Sequence, residues 1–156
     1  MFPIALSIIL PLILAALSAF LTYKFTIHSK KVDILYQNKI PAFKEIAYKI
    51  IKFKNFCDGR VAYFEASEYS PFYEGGAGTL KHRTEIAKSF STNNIFISRK
   101  SKILVTDLIN DMSGLCSVEV SLTYSDIEFD PSFEYERMSI LSSTVIEKLY
   151  QELNLA

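Results

Sequence analysis

Between Phe2 and Thr22 the chain carries no charged residue. The stretch FPIALSIILPLILAALSAFLT has 21 residues, of which only Ser7, Ser18 and Thr22 are polar. As an α-helix it would measure roughly 31 Å, enough for a bilayer hydrocarbon core. Pro3 falls in the first turn, where a missing N–H matters little. Pro11 falls mid-stretch and would kink the helix. Tyr23 follows at the depth of an interfacial aromatic. The pattern predicts a transmembrane helix over residues 1–23. The competing reading is a cleaved signal peptide, because residues 16–19 (ALSA) resemble a small-residue cleavage site. A signal peptide needs a basic leader, however, and only Met1 with its amino group precedes the apolar run. Lys24, Lys30, Lys31 and Lys39 all follow it. The positive-inside rule then predicts a single-pass protein of the inner (cytoplasmic) membrane, with the C-terminal part in the cytoplasm. In that compartment Cys57 and Cys116 are expected to be reduced and packed as small hydrophobes.

The remaining residues suffice for one domain with a real core. A juxtamembrane neck is expected over 24–40 and a soluble domain over 41–156. The 12 Phe and 9 Tyr supply that core generously. The formal net charge of zero hides an asymmetry. Residues 24–60 hold nine Lys/Arg against three acids, and residues 81–102 hold six against one. Residues 107–152 hold ten acids against two bases. The earlier part is suited to meeting anions and the last third is not.

Helical periodicity dominates the chain. Phe43, Ile46, Ala47, Ile50 and Ile51 follow the i, i+3, i+4, i+7, i+8 pattern and predict a helix over 41–56, interrupted by Asp58-Gly59. Ser70-Pro71 and the GGAG run at 75–78 predict a loop. Thr79 is a cap candidate for a helix over 80–91. Ser98 caps another over 99–113, with Ile103, Leu104, Leu108 and Met112 inward and Gly114 as its stop. Asp130-Pro131 starts the last helix, whose stripe is Phe133, Met138, Leu141, Val145, Leu149 and Leu153. Residues 116–124 (CSVEVSLTY) alternate instead, which is strand periodicity; residues 94–98 and 60–64 are the candidate partners. The expected fold class is mainly α: one N-terminal transmembrane helix plus a small helical cytoplasmic domain, with 116–124 open between a short strand and a helix.

Enzyme signatures are missing. There is no phosphate loop followed by Lys and Ser/Thr, no Cys or His pair at metal spacing and no nucleophile elbow. No catalytic residue, cofactor or metal ligand is assigned, and the chain is read as a non-enzyme. A Cys–His dyad between Cys57 or Cys116 and His82 has no local support. The distinctive chemistry is basic. Lys81-His82-Arg83 opens one predicted helix and Arg99-Lys100 opens the next. Helix N-termini already present unpaired N–H groups and partial positive charge, so acids are the usual choice there. Basic residues at two consecutive starts point to a phosphate-bearing ligand held by Lys81, His82, Arg83, Arg99 and Lys100. The alternatives are anionic lipid headgroups or plain solvation. Tyr63, Phe64, Tyr69, Phe72 and Tyr73 would suit stacking on bases, or simply core packing.

Residues 41–57 and 94–112 are similar to a broad set of bacterial proteins with one N-terminal span, a helical body and an Asn-x-Phe-[Leu/Ile]-Ser helix start, here Asn94, Phe96, Ile97 and Ser98. Across its whole length the layout of lone span, neck and basic-aromatic domain resembles the small membrane effectors of type III CRISPR immunity. That resemblance rests on architecture and charge. It implies a signalling effector that binds a cyclic oligonucleotide, cyclic oligoadenylate first, and perturbs the membrane as a homo-oligomer in antiviral defence. The alternative function is a membrane-tethered helical scaffold for a protein partner, with the acidic last helix and the loop at 69–79 as its contact surface.

Overall fold

A computed structural model describes residues 2–67, 78–124 and 130–153, without the side chains of residues 2–10, Leu12 and Leu35. Among the described residues four α-helices follow one another: α1 (Phe2–Phe64), α2 (Thr79–Asn93), α3 (Arg99–Tyr124) and α4 (Ser132–Glu152). A single 3-10 turn, Asn94–Phe96, joins α2 to α3. The chain divides into two units, Met1–Asn38 and Lys39–Ala156.

The second unit is a four-helix bundle in which each helix runs antiparallel to the one before it. Contacts between named residues fix the register. Lys49 of α1 pairs with Glu85 of α2 at 2.9 Å, and the Asn93 amide donates to Glu45. The hydroxyl of Thr79 on α2 meets Glu119 near the end of α3, and Tyr135 near the start of α4 meets the same carboxylate. Lys39 on α1 pairs with Glu152 at the end of α4 at 3.4 Å, and Ser139 donates to Asp58, so α4 returns alongside α1. The short connection between α2 and α3 favours their antiparallel pairing.

Heptad-like spacing explains the core. Phe43, Ile46, Ile50, Phe53 and Cys57 line one stripe of α1 and are fully buried. They meet Val105, Leu108, Met112 and Leu115 of α3 and Tyr135, Met138, Val145 and Leu149 of α4. Each large apolar side chain enclosed this way contributes about 1.5–3 kcal/mol of transfer free energy. Helix α2 differs: its buried positions are Thr79, His82, Ile86 and Ser89. These positions carry no apolar period, and Leu80 is exposed.

Three expectations are corrected here. The strand reading of 116–124 fails, because these residues continue α3 to Tyr124. Leu115 is buried and Val118 packs against the core, one face of a continuing helix, whereas Val120 and Tyr124 are exposed. The partners a strand would need are already committed, 60–64 to α1 and 94–96 to the 3-10 turn. A helix satisfies its backbone groups internally, so it is the only regular choice left. The stops at Asp58-Gly59 and Gly114 are likewise overridden by packing: α1 and α3 run through them.

The third correction concerns the expected transmembrane helix. Among the described residues, no helix is long and apolar enough to cross a membrane. Helix α1 carries charge from Lys24 onward, with Lys30 and Lys31 a turn or two later. In this first unit Ile13, Leu14, Leu17, Phe20 and Leu21 are all exposed.

Helix α1 ends in a Schellman-type turn. The Ser67 N–H reaches the Ala62 carbonyl at 2.9 Å and the Ala66 N–H the Tyr63 carbonyl at 3.4 Å. Ala66 takes a φ of 52° there, a position where glycine is favoured.

Candidate functional site

The antiparallel order sorts the basic residues expected to act together onto opposite ends of the bundle. One end gathers Lys39, the α2–α3 turn with Ser98, Arg99 and Lys100, and Glu152. The other gathers the end of α1, Thr79 with Lys81 and Arg83 one turn on, the last turns of α3 and the start of α4. Within one copy, Lys81 and Arg83 therefore cannot share a ligand with Arg99 and Lys100.

Each N-terminus expected to attract a phosphate is already occupied by a carboxylate of the chain itself. At the start of α2, both oxygens of Glu119 accept the Thr79 backbone N–H, at 3.1 and 3.3 Å. Oε1 also accepts the Thr79 hydroxyl at 2.7 Å and the Tyr135 hydroxyl at 2.9 Å. At the start of α3, Glu152 accepts the Ser98 N–H at 3.1 Å and the Ser98 hydroxyl at 2.6 Å, and Ser101 also donates to it. Ser98 simultaneously caps its own helix by accepting the Ser101 N–H at 3.2 Å. A carboxylate satisfies the free N–H groups and the helix dipole as a phosphate would. Sequence reasoning missed both acids because their partners lie 40 and 54 residues away. A signal existed for Glu152: it is an acid in the last turn of a helix, where the dipole disfavours one.

The expected site residues fare differently. Lys81, Arg99 and Lys100 are exposed. Arg83 is half-buried and its Nε donates to the Ile109 carbonyl at 3.3 Å. His82 is 7% exposed and lies against the rings of Phe53 and Phe56, with centroids 5.8 and 5.0 Å away. It is a core residue, not one presented to a ligand. Of the aromatics, Tyr63 is exposed and Phe64 packs against the core. Tyr69, Phe72 and Tyr73 lie outside the described residues, as do 75–77 of the GGAG run.

Around Glu119 the aromatic and charged groups pack on one another. The Arg60 guanidinium lies 5.0–5.4 Å from the ring centroids of Tyr63, Phe64 and Tyr135. Such cation–π contacts hold the end of α1 to the start of α4. Burial, and then the Glu119 carboxylate, push the Tyr135 hydroxyl far above its ordinary pKa, so it stays a hydrogen-bond donor. Both thiols are free. Burial pushes Cys57 well up, with Asp58 adding to it, and burial also raises Cys116. Neither is primed as a nucleophile. Among the described residues no group of three or more His, Cys, Asp or Glu is placed to hold a metal ion. A groove of about 270 Å³ runs between α1 and α4, lined by Ile40, Phe43, Lys44 and Ala47 on one side and Leu149, Tyr150 and Leu153 on the other. It is apolar and takes in none of the five expected ligand residues.

No family model matches the sequence, and neither curated proteins nor solved structures yield a match.

Proposed function

We propose that this chain is a membrane-associated helical adaptor whose bundle receives a protein partner at the end that carries Tyr63, Leu80, Tyr124 and Phe133. The observation that carries the reading is the clustering of exposure. Tyr63, Leu80, Phe133 and Tyr124 are 58%, 61%, 68% and 84% exposed, and all belong to the helix termini at that one end. Large apolar side chains grouped in this way mark interaction surfaces, and aromatic residues are the usual anchors of protein interfaces. The self-capped helix starts argue in the same direction, since the free N–H groups of Thr79 and Ser98 are spent on Glu119 and Glu152. Membrane association rests on the uncovered Ile13, Leu14, Leu17, Phe20 and Leu21 of the first unit and on the lysines that follow them. In this reading the bundle works on the cytoplasmic face. Photo-crosslinking in cells tests the partner surface. A benzophenone side chain at Tyr124 should give a discrete adduct that is lost in Tyr63→Ser and Phe133→Ser chains. The same probe at Ile140, on the exposed middle of α4, is the control. Equal labelling from both positions would discard the adaptor reading.

A second reading, a cyclic oligonucleotide effector, is favoured by one observation: Lys81 and Arg83 lie at the same end as the exposed Tyr63 and Tyr124. Bases stack on such rings beside cations. The ligand would lie between copies of a homo-oligomer, since one copy separates Lys81 and Arg83 from Arg99 and Lys100. Titration calorimetry with a panel of cyclic oligoadenylates decides it. Arg83→Ala or Arg99→Ala should weaken binding by about 1.5–3 kcal/mol per contact, as for a charge-assisted hydrogen bond. No heat from any member of the panel would exclude this reading.

A further inference from the structure

The α2–α3 turn combines two features that the bundle leaves unused. Ile95 is 76% exposed at its tip, while the neighbouring Ile97 is buried. Arg99 and Lys100 follow within two turns of chain, both exposed, and no ion pair engages either among the described residues. Of the acids at this end, Glu152 is held by Ser98, Ser101 and Lys39, and Glu45 accepts the Asn93 amide. Lys44 and Lys88 are exposed on the adjoining turns of α1 and α2. The turn therefore offers one bare aliphatic side chain, Ile95, followed by the exposed Arg99 and Lys100, with Lys88 exposed on the helix before it.

We infer that this turn docks on an anionic lipid surface: Ile95 enters the headgroup–acyl boundary and Arg99 and Lys100 meet lipid phosphates. The inference deepens the membrane association proposed above by naming a second contact, in the bundle itself. Charge complementarity selects the occupant. A purely apolar protein groove would leave Arg99 and Lys100 desolvated, whereas the negative surface of a bilayer attracts each basic residue, and a single apolar residue with flanking cations suits an interface with an apolar side and a charged side. Lys39, the first residue of the bundle unit, sits at the same end, through Glu152, and adds a further basic residue there.

The chain has no Trp, so Ile95→Trp places a single fluorophore at the tip. The full-length chain is mixed with vesicles of phosphatidylcholine alone or of phosphatidylcholine containing phosphatidylglycerol. Emission of Trp at position 95 should shift to the blue only with the anionic vesicles and be quenched by brominated acyl chains. A Tyr124→Trp chain, probed at the opposite end, should show neither change. Arg99→Ala and Lys100→Ala in the Ile95→Trp background should each weaken the anionic-vesicle response about fivefold, as for one basic residue at such a surface. Co-sedimentation of the same samples reports whether the chain binds the vesicles at all. Sedimentation without an emission shift overturns the docking turn and leaves membrane association standing. Absence of both overturns both. A shift equal on neutral vesicles, or one that grows with protein concentration in buffer, assigns the tip to another surface and overturns the inference.

Discussion

The Glu119 carboxylate accepts both the backbone N–H and the hydroxyl of Thr79, at 3.1 and 2.7 Å, and so caps a helix that starts 40 residues earlier in the chain. Because Tyr135 donates to the same oxygen as the Thr79 hydroxyl, one side chain of α3 joins the starts of α2 and α4. Glu119→Ala leaves these donors unpaired and is expected to destabilise the bundle by about 1–3 kcal/mol. Tyr135→Phe should lose about 1 kcal/mol. The double variant should lose less than the sum, since the two act through one contact. Urea unfolding of the four chains measures the coupling; strict additivity would mean that the hydroxyl and the carboxylate do not interact.

Glu152 gives the bundle a pH dependence. Burial opposes its charge, but hydrogen bonds from Ser101 and Ser98 together with Lys39 outweigh burial and hold the carboxyl below its ordinary value of 4.5. Glu85 is lowered as well, first by its hydrogen bond from Lys49. Such groups bind protons less readily folded than unfolded. Their stabilisation is complete above the ordinary carboxyl pKa and is lost as pH falls through the lower folded value. The unfolding midpoint should fall with acidification below about 4.5. Glu152→Gln should be the weaker chain at neutral pH and converge on the wild type in acid. Midpoints that stay a constant distance apart across the titration would contradict this origin.

Two backbone positions carry each other's preferred residue. Gly114 lies within α3 with open space where a Cβ would project, so Gly114→Ala should stabilise by about 0.5–1 kcal/mol. Ala66 sits at a φ of 52°, and Ala66→Gly should stabilise by relieving about 1 kcal/mol of left-handed strain. Thermal unfolding should move upward in both. A fall in either would mean that the local conformation differs from the one described.

The thiols should separate kinetically. Cys57 is fully buried with its pKa raised, whereas Cys116 is half-buried. Iodoacetamide should label Cys116 first in the native chain and both after denaturation without reductant. Comparable native rates would show that the region around Cys57 opens readily.

What the sequence determined by itself was the helical body. The stripes Phe43–Ile50 and Val145–Leu153 could be read because helical period and burial coincide in them. Residues 116–124 could not, because β-branched residues happened to alternate on a helix whose inner face was set by Leu115 and Val118. Helix α2 was blurred because its inner face is Thr79, His82 and Ser89, residues that carry no apolar period. The basic clusters were legible as charges at helix starts. Their separation to opposite ends, the withdrawal of His82 between Phe53 and Phe56, and the occupation of both helix starts by Glu119 and Glu152 were decided only by the tertiary structure. The physical reason is common to all three. Local sequence fixes the period of a helix and the charge at its start, but which face turns inward and which distant carboxylate satisfies its free N–H groups depends on how the four helices pack.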